Sequence, residues 1–371
     1  MSRSNFPEKI IYRLAYSLFA VSLIKLPAVF NPVNIIIIRQ HNQFGDMLAG
    51  VSLFRGIKEK YPKCRITLIA GPQNYYAVEK NKFIDRLFIF NKKKLWNPLY
   101  VKKLLNILRK KYDLVIVPVT VSVSFTSNLI SRFANAEYRI GPSSLDGIKN
   151  KSDFLFNIRE KIDWRQQPDS NVAERILDIV RSLEILPSTY KSEISFDNND
   201  RDAAERFIKS LNKSPGELLI GLHVGAGKTQ NRWSLNKYIE LIGKLNDLFK
   251  VKFYFTGSRT DREEITYMKN NLKVQAGYFL NKKIPEVAAL VSLSDLFITN
   301  DTGVMHTAGT TDTPQISVFG PTNPYNWAPI GENKYFIRKS DLIDDIEMED
   351  VLGMCKAILF DAAGKVKRAS V

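Results

Sequence analysis

Cysteine is nearly absent: Cys64 and Cys355 are the only two in 371 residues, and they lie near opposite ends of the chain. Two such residues build no disulfide framework, and a reducing compartment suits them. Histidine is as scarce. His41, His223 and His306 form no cluster with cysteine, so the sequence predicts no structural metal. Internal repeats and low-complexity tracts are missing, which excludes repeat and disordered architectures. Long apolar runs are lacking too. The uncharged stretch 14–24, between Arg13 and Lys25, falls short of the roughly 20 residues that a bilayer span needs. No small-residue cleavage pattern follows it, only Leu26-Pro27-Ala28-Val29-Phe30. A packed helix, a membrane-surface helix and a signal peptide all stay open for residues 1–33. Acidic residues are the last shortage. Against 54 Lys and Arg stand 38 Asp and Glu, and the net charge of +16 favours an anionic partner: nucleic acid, an acidic membrane surface or phosphorylated small molecules.

What is present is an alternation of strand and helix patterns. Asn34-Ile35-Ile36-Ile37-Ile38-Arg39 is apolar without alternation, the mark of a strand buried on both faces of a parallel sheet. Further strands are expected at 65–70, 86–90 and 114–118. Helices are expected from Asp46 onward (Met47, Val51, Phe54 and Ile57 inward), at 98–111 and at 172–185. The pattern loosens between 186 and 216, apart from a helix at 202–211. Strands at 218–223, 251–256, 296–300 and 315–319 then alternate with helices at 235–248, 261–270 and 284–293, and a last helix spans 347–360. The fold class is α/β, with two doubly wound parallel sheets. In such sheets ligands bind outside the carboxyl ends of the strands, where the strand order reverses.

Three loops at such ends carry chemistry. The first, Gln40-His41-Asn42-Gln43-Phe44-Gly45-Asp46, ends on a carboxylate that reads either as a general base or as a first-turn residue complementing its helix. The second is Gly225-Ala226-Gly227-Lys228-Thr229-Gln230-Asn231-Arg232-Trp233. Its Gly-Lys-Thr is no nucleotide-triphosphatase loop, because the required first glycine falls on Leu222. The dinucleotide fingerprint fails at Gln230. A glycine-rich turn with Lys228 and Arg232 remains, suited to a diphosphate. The third is Asp301-Thr302-Gly303 with His306 one turn on, a βα turn that reads as a plain helix cap or as a phosphate site. Thr256 and Gly257 fall at the same sheet edge.

Asp301-Thr302-Gly303, His306 and Phe319-Gly320-Pro321-Thr322-Asn323-Pro324 resemble the donor-site signature of the lipopolysaccharide heptosyltransferases, glycosyltransferase family nine. Gln43 to Leu48 resembles that family's first-domain loop, and Arg232-Trp233 part of its Lys-Arg-Trp triplet, with Asn231 in place of the lysine. The resemblance implies a GT-B fold, two Rossmann-like domains facing a central cleft. The expected organisation is an N-terminal apolar helix at 1–33, an acceptor domain at 34–186, a linker at 187–217, a nucleotide-sugar domain at 218–340, and a tail at 341–371 whose helix returns to the first domain. It further implies inverting, metal-independent sugar transfer from a nucleoside-diphosphate sugar, ADP-heptose by default, to a lipid-linked saccharide. Asp46 would be the base. Lys228, Arg232, Asp301, Thr302, Gly303, His306, Gly225, Gly227, Thr256 and Gly257 would hold the donor, and His41, Asn42 and Gly45 would lie on the acceptor side.

No cofactor is called for; the nucleotide sugar enters as substrate. The basic runs around Lys92–Lys94 and Lys102-Lys103 suit an anionic membrane, and the enzyme is expected at the cytoplasmic face of the inner membrane. Nucleic acid is not expected, since no recognised binding motif or stacking-aromatic signature is present. A nucleotide-binding or basic membrane-surface protein without transfer activity is the alternative, as is a family-nine transferase with another sugar donor.

Overall fold

The computed structural model describes residues 6–41 and 43–368. The chain divides into two compact units, Met1–Tyr190 and Lys191–Val371. The division falls inside the expected linker.

The first unit is built on a sheet whose strands are β1 (Asn34–Arg39), β2 (Arg65–Ala70), β3 (Arg86–Ile89), β4 (Tyr112–Ile116), β5 (Ala136–Leu145), β6 (Ile148–Lys149) and β7 (Ile158–Ile162). Its order is β3-β2-β1-β4-β5-β6, with β7 also on β5. All pairings are parallel except β5 with β6. Ile35 to Ile38 of β1 are fully buried, as an unalternating apolar run at the middle of a parallel sheet should be. Burial of each such side chain contributes about 1.5–3 kcal/mol. Gly71 ends β2 for a steric reason: a Cβ there would lie 2.1 Å from the Gln40 carbonyl oxygen.

Two elements depart from the sequence expectation. The N-terminal helix covers Phe6–Phe19 only, and the chain runs without helix to β1, with Val21 and Ile24 donating N–H bonds to the carbonyls of Phe154 and Asn157. The helix expected at 172–185 is an α-helical turn, Val172–Arg175, followed by a 3-10 stretch, Ile176–Leu183, broken at Val180 (φ −116°). Among the described residues no helix is long and apolar enough to cross a membrane.

The second unit holds β8 (Leu218–His223), β9 (Val251–Gly257), β10 (Ala276–Leu280), β11 (Leu296–Asn300), β12 (Gln315–Val318) and β13 (Lys334–Ile337), in the order β10-β9-β8-β11-β12-β13 and all parallel. The helix Asn198–Ser210 packs Ala204 and Phe207 into the core of this unit with Leu290 and Phe297. The last helix, Met348–Arg368, buries Val351, Leu352, Cys355 and Leu359 in the other core cluster of the same unit, with Leu241 and Leu245.

In each sheet the strand order reverses once, between β1 and β4 and again between β8 and β11. The loops after those four strands hold most of the residues singled out by sequence.

Candidate active site

In the first unit the loop after β1 feeds the short helix Phe44–Ala49. Asp46, 5% exposed, accepts a hydrogen bond on Oδ1 from Thr120 Oγ1 at 3.0 Å. Its Oδ2 takes the Gln43 N–H at 3.3 Å, the return half of a capping box. Thr120 comes from the loop after β4, so this carboxylate is held by both sides of the switch point. Beneath it Arg39, 1% exposed, donates from Nη2 to the Asp46 carbonyl at 2.6 Å and to Thr120 Oγ1 at 3.3 Å. Burial pushes the Arg39 guanidinium down to about 10, opposed by Asp46, so it stays charged at neutral pH.

His41 shares a 2.9 Å hydrogen bond between Nε2 and Ser122 Oγ. Burial first and Arg39 second lower its pKa, which keeps the ring neutral. Gly45 is buried within the short helix. Asn42 lies outside the described residues.

In the second unit the loop after β8 is joined to the end of β11 through one side chain that sequence reasoning missed. Asn300, at the end of β11, is fully buried and uses all its hydrogen-bonding capacity. Its Nδ2 donates to the carbonyls of Val224 (2.9 Å) and Gly225 (3.3 Å), and its Oδ1 accepts from Trp233 N–H (3.3 Å) and Tyr238 O–H (3.0 Å). Both ends of the glycine-rich loop are thereby pinned to the strand that carries Asp301. A polar residue closing an apolar strand was the available signal, since a buried amide must find partners.

Asn231, 5% exposed, donates from Nδ2 to Asp301 Oδ2 at 2.8 Å. Arg232 is engaged: Nη1 pairs with Glu264 Oε1 at 2.5 Å, and Nε donates to the Ala226 carbonyl. Lys228 is exposed, and among the described residues its ammonium has no ion-pair partner. Gly225 is sterically required, because a Cβ would lie 2.1 Å from Asp261 Oδ1; at Gly227 it would meet open space. Trp233 is core, donating from Nε1 to the Ile346 carbonyl at 2.8 Å.

Thr256 is buried. Its carbonyl and hydroxyl both lie 3.1 Å from His223 Nδ1. A carbonyl only accepts, so Nδ1 carries the proton, and burial holds the His223 pKa below its usual value. Gly257 packs closely on Ile265 and Leu280. Thr302 caps the helix Gly303–Ala308 in extended geometry, and Asp301 N–H bonds to the Val318 carbonyl. His306 is half-buried, its ring edge-to-face with Trp327 at 6.3 Å.

The second unit thus brings Gly225, Asn231, Asn300 and Asp301 together, with Arg232 turned to Glu264 and Thr256 turned to His223. Residues 101–354, more than half of the chain, match glycosyltransferase family 9 (heptosyltransferase). The chain belongs to that family. This family 9 glycosyltransferase is 26% identical over 317 residues to lipopolysaccharide heptosyltransferase 2 of Salmonella typhimurium, covering 79% of this chain and 85% of that one. A family 9 glycosyl transferase from Veillonella parvula shares its fold with a TM-score of 0.76 at 17% identity, over 92% of this chain and all of that one. The Escherichia coli ADP-heptose lps heptosyltransferase II does so with a TM-score of 0.72 at 20% identity, over 89% and 100%. The enzyme therefore has the GT-B fold expected from its sequence. Asp46 precedes the stretch that matches the family, whereas both donor-like loops lie inside it.

Proposed function

We propose that this enzyme transfers a heptose from ADP-heptose to a lipid-linked saccharide of the lipopolysaccharide-core type, with inversion at the anomeric carbon. The observation that carries the reading is the switch point of the second sheet. There a glycine-rich loop and an acidic βα turn are tied together by Asn300 and by the Asn231–Asp301 bond. Asp301 keeps an oxygen for a donor hydroxyl, while Lys228 and the amides of Thr302 and Gly303 suit the diphosphate. Names borne by the relatives supply the sugar, the nucleotide and the acceptor class.

In the reaction the acceptor hydroxyl attacks the anomeric carbon as the bond to the diphosphate oxygen breaks. Asp46 removes the hydroxyl proton, a contribution of about 10²- to 10⁴-fold. Its hydrogen bonds from Thr120 and Gln43 fix the carboxylate for that step. Positive charge and backbone amides offset the charge growing on the leaving diphosphate, so transfer needs no metal. A lipid-linked acceptor supports a location at the cytoplasmic face of the inner membrane.

A panel of nucleotide sugars tests the reading by thermal stabilisation and by transfer to a core saccharide in EDTA. ADP-heptose is expected to raise the melting temperature most and to support turnover. Stabilisation by a different nucleotide sugar alone would replace the donor, and binding with no transfer to any acceptor would overturn the enzymatic role.

A further inference from the structure

One layer of the first unit pairs exposed apolar groups with dense positive charge, and the transfer chemistry makes no use of it. Between Asp85 and Asp113 the sequence has nine lysines and arginines and no carboxylate. Within that stretch the 3-10 turn Lys92–Lys94 leads through Leu95 and Trp96 into the helix Pro98–Leu108. Trp96 is 82% exposed and Leu99 71%.

This is a fixed turn. Asn97 Oδ1 accepts the Tyr100 N–H at 3.2 Å, and Tyr100 O–H donates to the Ile89 carbonyl at 3.0 Å while accepting the Asn91 N–H at 2.6 Å. On the opposite side of the helix Leu104 and Leu108 are buried with Ile130 and Ala134, so the helix Phe125–Phe133 belongs to the same layer. The N-terminal helix packs onto that one through Tyr12 on Phe125 and Phe19 on Phe133, and leaves Leu14 and Leu18 exposed.

Apolar side chains ringed by lysine are what a bilayer surface selects: the rings and branched chains enter the headgroup boundary while the ammonium groups meet lipid phosphates. The alternatives fit worse. Lysine is depleted at protein–protein interfaces, and a second copy seated on this face would set its lysines against their like. A nucleic acid would neutralise the charge but leave Trp96, Leu99, Leu14 and Leu18 largely in water.

We propose that this layer is a docking surface for an anionic membrane, with Trp96 and Leu99 seated at the headgroup level and the adjoining lysines held by lipid phosphates. The inference rests on the lipid-linked acceptor proposed above and names the surface that would bring the enzyme to it.

Cosedimentation of the full chain with vesicles of phosphatidylcholine, alone or mixed with phosphatidylglycerol, tests it. Binding is expected only with the anionic vesicles. Trp96→Ser with Leu99→Ser is expected to lower partitioning about tenfold or more. Replacing Lys93, Lys94, Lys102 and Lys103 by alanine is expected to lower it by a similar factor. Transfer to a water-soluble saccharide acceptor should stay at the parent rate in both variants. Equal partitioning into neutral and anionic vesicles, parent-level binding by the variants, or salt-sensitive RNA binding without vesicle binding would overturn the proposal. Soluble-acceptor transfer without vesicle binding refutes the docking surface alone, whereas vesicle binding without transfer refutes the proposed function alone.

Discussion

Asn231 Nδ2 donates to Asp301 Oδ2 across 2.8 Å, joining the loop after β8 to the loop after β11. Thr120 and Asp46 make the equivalent connection in the first unit, at 3.0 Å, between the loops after β4 and β1. In both sheets a carboxylate at the point of strand reversal is held by a neutral donor from the opposite loop. A lysine at 231 would form an ion pair with Asp301. The amide fixes the carboxylate without neutralising it, which leaves the full charge available to a donor hydroxyl.

Asn231→Asp should therefore be pH-sensitive. Two carboxylates at that spacing cannot both ionise freely, so one keeps a raised pKa in the folded enzyme. A raised folded-state value stabilises below the unfolded pKa and is lost as pH rises through the folded one. Thermal denaturation should show the variant about 1–3 kcal/mol less stable than the parent at pH 7, with the gap closing as pH falls toward about 4, the ordinary aspartate value. A gap independent of pH would argue against the contact.

Asn300 is a positioning residue for the donor loop. Asn300→Asp turns two donated bonds into repulsions with the Val224 and Gly225 carbonyls and should cost about 1–3 kcal/mol. Kinetics should show a raised donor KM with acceptor KM little changed, a split that general destabilisation would not give.

Lys228 and Arg232 should separate by readout. Lys228→Ala is expected to weaken nucleotide-sugar binding with little change in melting temperature, because the side chain is exposed and unpaired among the described residues. Arg232→Ala strands the buried Glu264 and should lower stability by about 1–3 kcal/mol. Calorimetric binding and melting curves of the two variants check both halves.

His223 should contribute to acid lability. Its folded-state pKa lies below the ordinary 6.5 because the ring is buried. Between the two values the unfolded chain binds a proton that the folded chain does not, so stability rises with pH up to about 6.5 and falls in acid. His223→Asn keeps a donor for the Thr256 carbonyl without titrating. The stability–pH slope below pH 6.5 should flatten in that variant.

The central strands and the loops after them were legible in the sequence. Four isoleucines mark β1 whatever the context, and glycine or carboxylate residues come within two residues of the ends of β8 and β11 and, after β1, at Gly45 and Asp46. The strands β5, β6, β7, β10 and β13 were not. β7 and β13 mix charged and apolar residues because one side faces solvent, and β5 carries glycine and proline. The helix Phe125–Phe133 is rich in Ser and Asn; its one early signal was the Ser124 cap that accepts the Ser127 N–H. At the site, chemistry local in sequence was readable and chemistry across the fold was not. Thr120 lies 74 residues from Asp46 and Asn231 lies 70 from Asp301, so no spacing rule links them. Arg232 likewise reads as a free cation until Glu264 is placed beside it.

The assignment of Asp46 as the base is tested most directly by comparing donor binding and sugar transfer in Asp46→Asn. The amide keeps the size of the side chain and an acceptor for Thr120. It should bind the nucleotide sugar as the parent does, while transfer falls about 10²- to 10⁴-fold. Parent-level turnover by Asp46→Asn would contradict the account.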